Sequence, residues 1–185
     1  MNFFMQYDVI IIGAGPGGIF SAYELSKLCP EKKIAVFEEG QPLEKRKCPI
    51  DGKTVKHCVG CPTCAIMNGF GGAGAFSDGK YNLTNDFGGT LYEYIGKKQA
   101  MELMHYVDAI NVSHGGENTK LYSTANSAFK TRCLQCGLHL LDASVRHLGT
   151  DINFVVLKNL FAELEPKVDF HFRTPVRKVL AKDGG

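Results

Sequence analysis

Residues 7–18 read Tyr-Asp-Val-Ile-Ile-Ile-Gly-Ala-Gly-Pro-Gly-Gly (YDVIIIGAGPGG). This stretch predicts a strand, a glycine-rich turn and the start of a helix. The apolar run at 9–12 is typical of a strand that is covered on both faces of a parallel sheet. The glycines that follow match the pattern G-x-G-x-x-G, which combines a tight turn, close backbone approach to a pyrophosphate and close helix–strand packing. A helix N-terminus after the strand favours phosphate oxygens. The predicted phosphate-binding residues are Gly13, Gly15, Pro16, Gly17 and Gly18.

A second apolar strand is predicted at 34–37, and it ends in the acidic pair Glu38 and Glu39. The pair lies about twenty residues past the last glycine, where a ribose-binding carboxylate is expected. We choose Glu38 as the ribose acceptor because it directly ends the strand, and we expect Glu39 to point away. The alternative interpretation is a structural glycine turn followed by a solvated acidic pair.

The composition excludes several classes of protein. The chain has 185 residues, 44% of them hydrophobic, and a formal net charge of +2. This charge is too balanced to indicate a nucleic-acid partner. No run of 18 apolar residues indicates a membrane span, so no membrane partner is expected. Seven cysteines in a nucleotide-binding α/β chain indicate a reducing, cytoplasmic location.

A cysteine- and glycine-rich insertion is predicted at about 41–90. Arg46 is the residue in its first part most able to reach a phosphate, although a solvated surface charge is an equal alternative. Residues 69–79 hold five glycines, which suits backbone that must come close to a flat ligand.

Four cysteines precede this glycine-rich loop: Cys48, Cys58, Cys61 and Cys64. As thiolates they could bind zinc or an iron–sulfur cluster, since C-x-x-C places two sulfur donors on one turn. Cys61 and Cys64 could instead form a redox pair that exchanges electrons with a flavin. The third alternative is free thiols that pack as small hydrophobic groups.

Hydrophobic periodicity and capping residues predict the remaining elements. They are helices at 90–115, at 125–136 with Thr124 as N-cap, and at about 152–164 with Thr150 as N-cap, and strands at 138–141, 168–173 and 176–181. The last strand runs into Asp183-Gly184-Gly185, a hairpin signal. We therefore expect the chain to be the N-terminal part of a longer protein.

With these motifs, the sequence resembles a family of uncharacterised bacterial FAD-dependent dehydrogenases over nearly the whole chain. The resemblance depends on DVIIIGAGPGG, on the cysteines leading into GFGGAGAFSDGK, and on RHLGTD at 146–151. The glycine-rich loop is also similar to the SGGGRCN-type flavin-contacting loop of flavoproteins with two dinucleotide-binding folds. In this chain, Phe76-Ser77-Asp78 stands where that loop has Arg-Cys-Asn.

The resemblance implies further positions for the cofactor. The backbone near Val176 would lie against adenine, and the loop from 71 to 77 would face the isoalloxazine ring. The flavin-side residues implied are Gly71, Gly72, Gly74 and Ser77. Family members continue past residue 185 with a substrate or cap domain and a final strand–glycine motif.

Together these features predict an α/β fold, a Rossmann-like FAD/NAD(P)-binding domain over 1–185 that is truncated before its second half. The expected function is an FAD-dependent oxidoreductase with a small-molecule substrate and NAD(P)H or another electron carrier as partner. FAD is favoured over NAD because the second strand leads into a long loop that needs a tightly held ligand. The alternative is a metal- or iron–sulfur-bearing nucleotide-binding module without turnover. Catalytic residues cannot be assigned from spacing.

Overall fold

The computed structural model describes residues 5–125 and 127–181. Contacts divide the chain into two compact units, Met1–Phe76 with Leu157–Gly185, and Ser77–Val156. The strands are β1 Val9–Ile12, β2 Ile34–Phe37, β3 Lys80–Leu83, β4 Leu121–Ser123, β5 Ser144–His147 and β6 Asp169–His171. The helices are α1 Pro16–Leu28, α2 Leu91–Ile95, α3 Lys97–Asn111, α4 Phe129–Gln135 and α5 Gly149–Leu164.

The first unit contains a three-stranded parallel sheet in the order β1-β2-β6. This confirms a mixed α/β architecture with a small parallel sheet. In its register, Ile11 lies beside Val36, and Val36 lies beside Phe170. Neighbouring side chains in a sheet share a face, so these three residues form one row across it.

Both helices of the first unit cover the face of the sheet that holds this row. A Cβ at Gly18 of α1 would lie 3.3 Å from Ile11 Cγ2, and the ring of Phe161 on α5 lies 5.3 Å from that of Phe170. Val36, between them, is fully buried. On the opposite face Ile10 and Ile12 are 56% and 59% exposed, so β1 is covered on one face only.

An aromatic cluster joins α5 and β6 to the glycine-rich loop. Phe70 is fully buried, and its ring meets Phe161 edge-on at 5.0 Å and Phe170 at 5.8 Å. The rings of Phe170 and Phe172 are nearly parallel, 5.8 Å apart. Edge-to-face aromatic pairs stabilise beyond their buried area. The loop is thus anchored by a core side chain as well as by its backbone.

The second unit is organised around an antiparallel sheet in the order β3-β5-β4. A bidentate ion pair links α3 to β5, with Arg146 Nε 2.7 Å from Asp108 Oδ1 and Nη2 2.8 Å from Oδ2. This carboxylate raises the pKa of Arg146, whereas burial lowers it. Arg146 Nη1 also donates to the Thr119 carbonyl at 2.7 Å. Arg146 therefore links β5 to α3 and to the loop that contains Thr119.

Several predicted helices have different bounds in the structure. The helix expected at 90–115 is two helices, because Gly96 has a φ of +83° and breaks the run. A π-helical turn, Val112–Gly116, follows α3. In place of the helix expected at 125–136, the structure has the shorter α4. Thr124 does not cap α4, because its hydroxyl donates to the Leu141 carbonyl. Likewise Thr150 lies inside α5 and donates to the Ser77 carbonyl.

Of the strands predicted after α1 and β2, the one at 168–173 is present as β6, and two others are absent. The strand expected at 138–141 is wrong, and β5 lies six residues later, between β3 and β4, neither of which was predicted. The strand expected at 176–181 is also wrong, since the described chain runs there without regular structure and Val179 is 74% exposed. The expected hairpin at 183–185 lies outside the described residues.

The predicted insertion at about 41–90 contributes to both units, with residues 41–76 in the first and 77–90 in the second. Among residues 5–125 and 127–181, no helix is long and apolar enough to cross a membrane.

Candidate functional site

A cleft of about 380 Å³ opens at the carboxyl ends of β1 and β2, within the first unit. The carboxyl edge of a parallel sheet is where such folds bind ligands. Its lining residues are Ile12, Gly13, Gly15, Phe37, Glu38, Glu39, Met67, Asn68, Gly69, Gly72, Pro175, Val176 and Arg177. The cleft therefore joins the first glycine turn, the acidic pair, the second glycine-rich loop and the segment after β6.

The first glycine turn has the geometry that its sequence predicts. Gly13 has a φ of +96°, a conformation that favours glycine, and its N–H donates to the Phe37 carbonyl at 2.8 Å. A Cβ at Gly18 would overlap the carbonyl oxygen of Gly13, so α1 packs on the turn as only glycine allows. Nothing lies within 4 Å of a Cβ built on Gly15, which leaves open space beside the backbone.

The N-terminus of α1 faces the cleft without a side-chain cap. Gly15 is its N-cap, Pro16 occupies the first turn, and no side chain caps the helix. The first turn contains no acidic residue. The N–H groups of a first helical turn have no partner within the helix, and the helix dipole is positive there. This end of the cleft therefore suits an anionic group such as a phosphate.

Glu38 is a buried carboxylate at the junction of three loops. Its Oε2 accepts from the Ala14 N–H at 2.7 Å, and its Oε1 accepts from the N–H groups of Gly40 at 2.7 Å and Gly69 at 2.9 Å. The residue is 6% exposed. A carboxylate offers about four acceptor positions, so one remains after these three bonds. Glu38 thus holds the loops together and still lines the cleft.

Glu39 also lines the cleft, and it is exposed. The direction of its side chain stays a prediction. Gly40 is buried, and a Cβ on it would overlap the backbone of Gly69. Glu38 and Glu39 therefore border the cleft beside a closely packed glycine.

The second glycine-rich loop packs directly on the first. The Gly71 N–H donates to the Ala14 carbonyl at 2.8 Å, and a Cβ at Gly72 would lie 3.2 Å from Gly15 Cα. Gly71 and Gly72 have positive φ values of 87° and 57°. The two loops were predicted separately from sequence, and the structure brings them together at the cleft.

Arg46 is buried beneath the second loop and is not a solvated surface charge. Its guanidinium donates to four backbone carbonyls at 2.7–2.9 Å, those of Ala65, Ile66, Phe70 and Gly72. Burial lowers the pKa of Arg46, while the nearby charges of Glu38 and Cys64 raise it. The guanidinium carbon of Arg46 also lies over the ring of Phe76, 4.8 Å from its centroid. Arg46 therefore fixes the path of the loop and is not among the residues that line the cleft.

The segment after β6 forms part of the cleft wall beside Glu38 and Gly40. The Thr174 N–H donates to the Glu38 carbonyl at 2.9 Å, and the Arg173 N–H donates to the Gly40 carbonyl at 2.9 Å. Arg173 has a φ of 57°, which is unusual for a residue other than glycine. This tight turn places Val176 in the cleft.

The structure separates the predicted site residues into two groups. The cleft is lined by Gly13, Gly15, Glu38, Glu39, Gly72 and Val176. The predicted residues that do not line it are Pro16, Gly17, Gly18, Arg46, Gly71 and Gly74, in the same unit, and Ser77, in the second unit. Ser77 accepts a hydrogen bond from the Gly79 N–H at 3.2 Å.

Sequence reasoning missed three polar or flexible lining residues, Met67, Asn68 and Arg177. Arg177 directly follows Val176, and a basic residue beside an expected nucleotide contact was a usable signal. Met67 and Asn68 gave no signal, because their N–H groups are folded back onto the Cys64 carbonyl at 3.2 Å and 2.8 Å in a turn that no motif announces.

The four clustered cysteines do not converge on one point. Cys58 and Cys61 are exposed, and Cys48 and Cys64 are partly exposed. Within residues 5–125 and 127–181, no three histidine, cysteine or acidic side chains lie close enough together to hold a metal ion. The metal interpretation therefore stays a prediction.

Comparison with known proteins gives little further information. No protein-family model matches the chain. Over 42 residues it is 43% identical to an uncharacterized protein, R188, of Acanthamoeba polyphaga mimivirus. The similarity covers 23% of this chain and 8% of the viral protein, so it shows a short shared segment and not a family.

Proposed function

We propose that this chain binds the ADP part of FAD in the cleft and belongs to an FAD-dependent oxidoreductase. The observation that carries the proposal is the convergence of an uncapped helix N-terminus, a buried carboxylate and two glycine-rich loops around one opening. The helix N-terminus, the carboxylate and the two glycine-rich loops were each expected from sequence for a dinucleotide site.

The pyrophosphate would lie at the start of α1. Gly13 provides the turn, and the open space beside Gly15 lets an anionic group approach the backbone closely. Arg177, which also lines the cleft, would supply a positive charge to the same opening. These residues bind and orient; they have no part in bond breaking.

The ribose would lie at the acidic pair. Glu38 is held rigid by its three N–H donors, and its remaining acceptor position can take one ribose hydroxyl. A preorganised carboxylate loses little entropy when it binds. The backbone near Val176 would then border the adenine.

The strand order supports this class of fold. The order β1-β2-β6, all parallel, is that of one half of a doubly wound dinucleotide-binding sheet. FAD is preferred to NAD because the second glycine-rich loop, bonded to the first, provides glycine backbone for a flat ring. When bound, the flavin carries hydride between a small-molecule substrate and NAD(P)H or another electron carrier.

Titration of ADP and FAD into the full chain, followed by calorimetry and flavin fluorescence, tests the proposal. The matched pair is Gly15→Ala and Gly74→Ala, since neither added Cβ meets protein within 4 Å and only Gly15 lines the cleft. Gly15→Ala should weaken ADP binding about tenfold, or roughly 1.4 kcal/mol. Gly74→Ala should leave it unchanged. A wild-type chain that binds neither nucleotide would overturn the proposal.

A further inference from the structure

Residues 47–64 form a long excursion within the first unit, and one side chain joins its two ends. Arg46, just before the excursion, donates from Nε to the Ala65 carbonyl at 2.9 Å and from Nη2 to the Ile66 carbonyl at 2.7 Å, just after it. The excursion therefore begins and ends at a fixed point.

Apart from the contacts of Arg46, few interactions order residues 47–64. It contains no helix or strand, and its regular feature is a turn in which Asp51 Oδ1 accepts from the N–H groups of Lys53, Thr54 and Val55 at 2.8 Å. Every residue from 56 to 63 is exposed. A loop of this length without secondary structure normally serves a function or is organised by a ligand.

The composition of the excursion indicates which ligand. It carries four of the seven cysteines, with C-x-x-C-x-x-C at 58–64 and Cys48 earlier. Its three lysines and one aspartate give it a formal charge of +2. A Zn²⁺ ion with four thiolates has a net charge of −2, as does an oxidised cubane iron–sulfur cluster with four thiolates. The exposed side chains of Ile50 and Val59 could shield such a centre from water.

We propose that Cys48, Cys58, Cys61 and Cys64 bind a metal centre through four thiolates, and that binding orders residues 47–64. The four thiols do not lie together in the described structure, so ligation would bring them together and fold the excursion at the same time. Four thiol protons are released as the four sulfur–metal bonds form. None of the four cysteines lines the proposed nucleotide cleft.

The centre would act on the cleft through Cys64. The Cys64 carbonyl accepts from the N–H groups of Met67 and Asn68, and both of those residues line the cleft wall. Fixing the Cys64 sulfur would therefore fix that wall. This gives the metal centre a structural role beside the nucleotide, with no oxidation or reduction required of it.

Metal analysis of the full chain, purified without oxygen or chelator, tests the proposal. We expect about one zinc per chain, or about four irons with matching sulfide, and either result supports thiolate ligation. The double variant Cys58→Ser/Cys61→Ser should lose the metal, because it removes two of the four proposed ligands. Both residues are exposed, so the substitution leaves the core intact. The matched control is Cys133→Ser/Cys136→Ser, the C-x-x-C pair at the end of α4, which should keep it.

A second measurement does not depend on a variant. Alkylation of the wild-type chain, read by peptide mass spectrometry, should modify Cys58 and Cys61 slowly before chelation and quickly after it. Metal below about a tenth of an equivalent, a metal content that the double variant retains, equal loss in the control, or a Cys61–Cys64 disulfide in metal-free protein would each overturn the proposal.

Discussion

The backbone N–H of Gly71 donates to the carbonyl of Ala14 at 2.8 Å, so the two glycine-rich loops are bonded to each other. These residues are 57 positions apart in the sequence. The bond places the second loop against the first glycine turn. A cleft whose walls are bonded to each other loses less entropy on binding than one that must assemble.

The packing of α1 on the first glycine turn predicts that alanine substitutions at two adjacent glycines differ in their effect on stability. Gly18→Ala places a Cβ into the Gly13 carbonyl, so it should lower the free energy of unfolding by about 2–4 kcal/mol. Gly17→Ala meets no atom within 4 Å and should leave stability within about 1 kcal/mol of wild type. Urea unfolding compares the two, and equal losses would mean that α1 does not pack closely on the strand.

Replacing Arg46 should loosen the second loop. Arg46→Lys keeps the positive charge but cannot reach four carbonyls at once, and buried carbonyls without donors are costly. We expect a loss of about 2–4 kcal/mol in the free energy of unfolding. Lys47→Arg, next in sequence and exposed, is the control and should change nothing. Wild-type stability in Arg46→Lys would show that these hydrogen bonds do not hold the loop.

The aromatic cluster predicts that Phe70 anchors the loop. Phe70→Ala removes a fully buried ring that contacts Phe161 and Phe170, and it should cost about 3–5 kcal/mol. Phe129, with 64% of its surface exposed, provides the control, since Phe129→Ala should cost less than about 1 kcal/mol. Similar costs for both substitutions would contradict the described core.

The turn at Asp51 should depend on pH in the acid range. Backbone N–H donors, that of Val55 foremost, lower the pKa of the Asp51 carboxyl below its usual 3.8. A lowered folded pKa means that the stabilisation is present above the unfolded pKa and is lost as the pH falls through the folded one. Amide signals of Lys53, Thr54 and Val55 should therefore shift together below pH 3.8. A shared midpoint above that value would refute the described turn.

The acidic pair allows the ribose contact to be assigned. Glu38→Gln removes the charge from a carboxylate with three N–H donors, so both stability and ADP affinity should fall, the affinity by about tenfold to a hundredfold. Glu39→Gln changes an exposed side chain and should alter affinity by less than about threefold. The reverse order of effects on ADP affinity would make Glu39 the ribose acceptor.

The parts of the fold that sequence could predict are local ones. The strand at 9–12, the glycine turn, α1 and the strand at 34–37 lie within 30 residues of each other, and each is specified by adjacent residues. The helix at 149–164 was likewise visible in its periodicity. By contrast β5 exists only because β3 and β4 pair with it from 64 and 23 residues away, and short-range patterns carry no such information.

The candidate site shows the same limit. The residue types at the cleft were predictable, because the fingerprint needs glycines and a carboxylate at set spacings. The burial of Arg46 was not, since its acceptors are carbonyls of residues 19–26 positions away that have no side-chain signature. The same holds for Glu38, whose donors come from three separate loops.

Nuclear magnetic resonance of the ¹⁵N-labelled full chain during titration with ADP tests whether the cleft at the carboxyl ends of β1 and β2 binds a nucleotide. The amide signals that should move first are those of Gly13, Gly15, Glu38, Glu39, Asn68, Gly72 and Val176, which line the cleft. Amides around the separate groove of Leu43, Phe161 and Phe172 should not move. Shifts confined to that groove, or no shifts at saturating ADP, would contradict the assignment of the cleft as a nucleotide site.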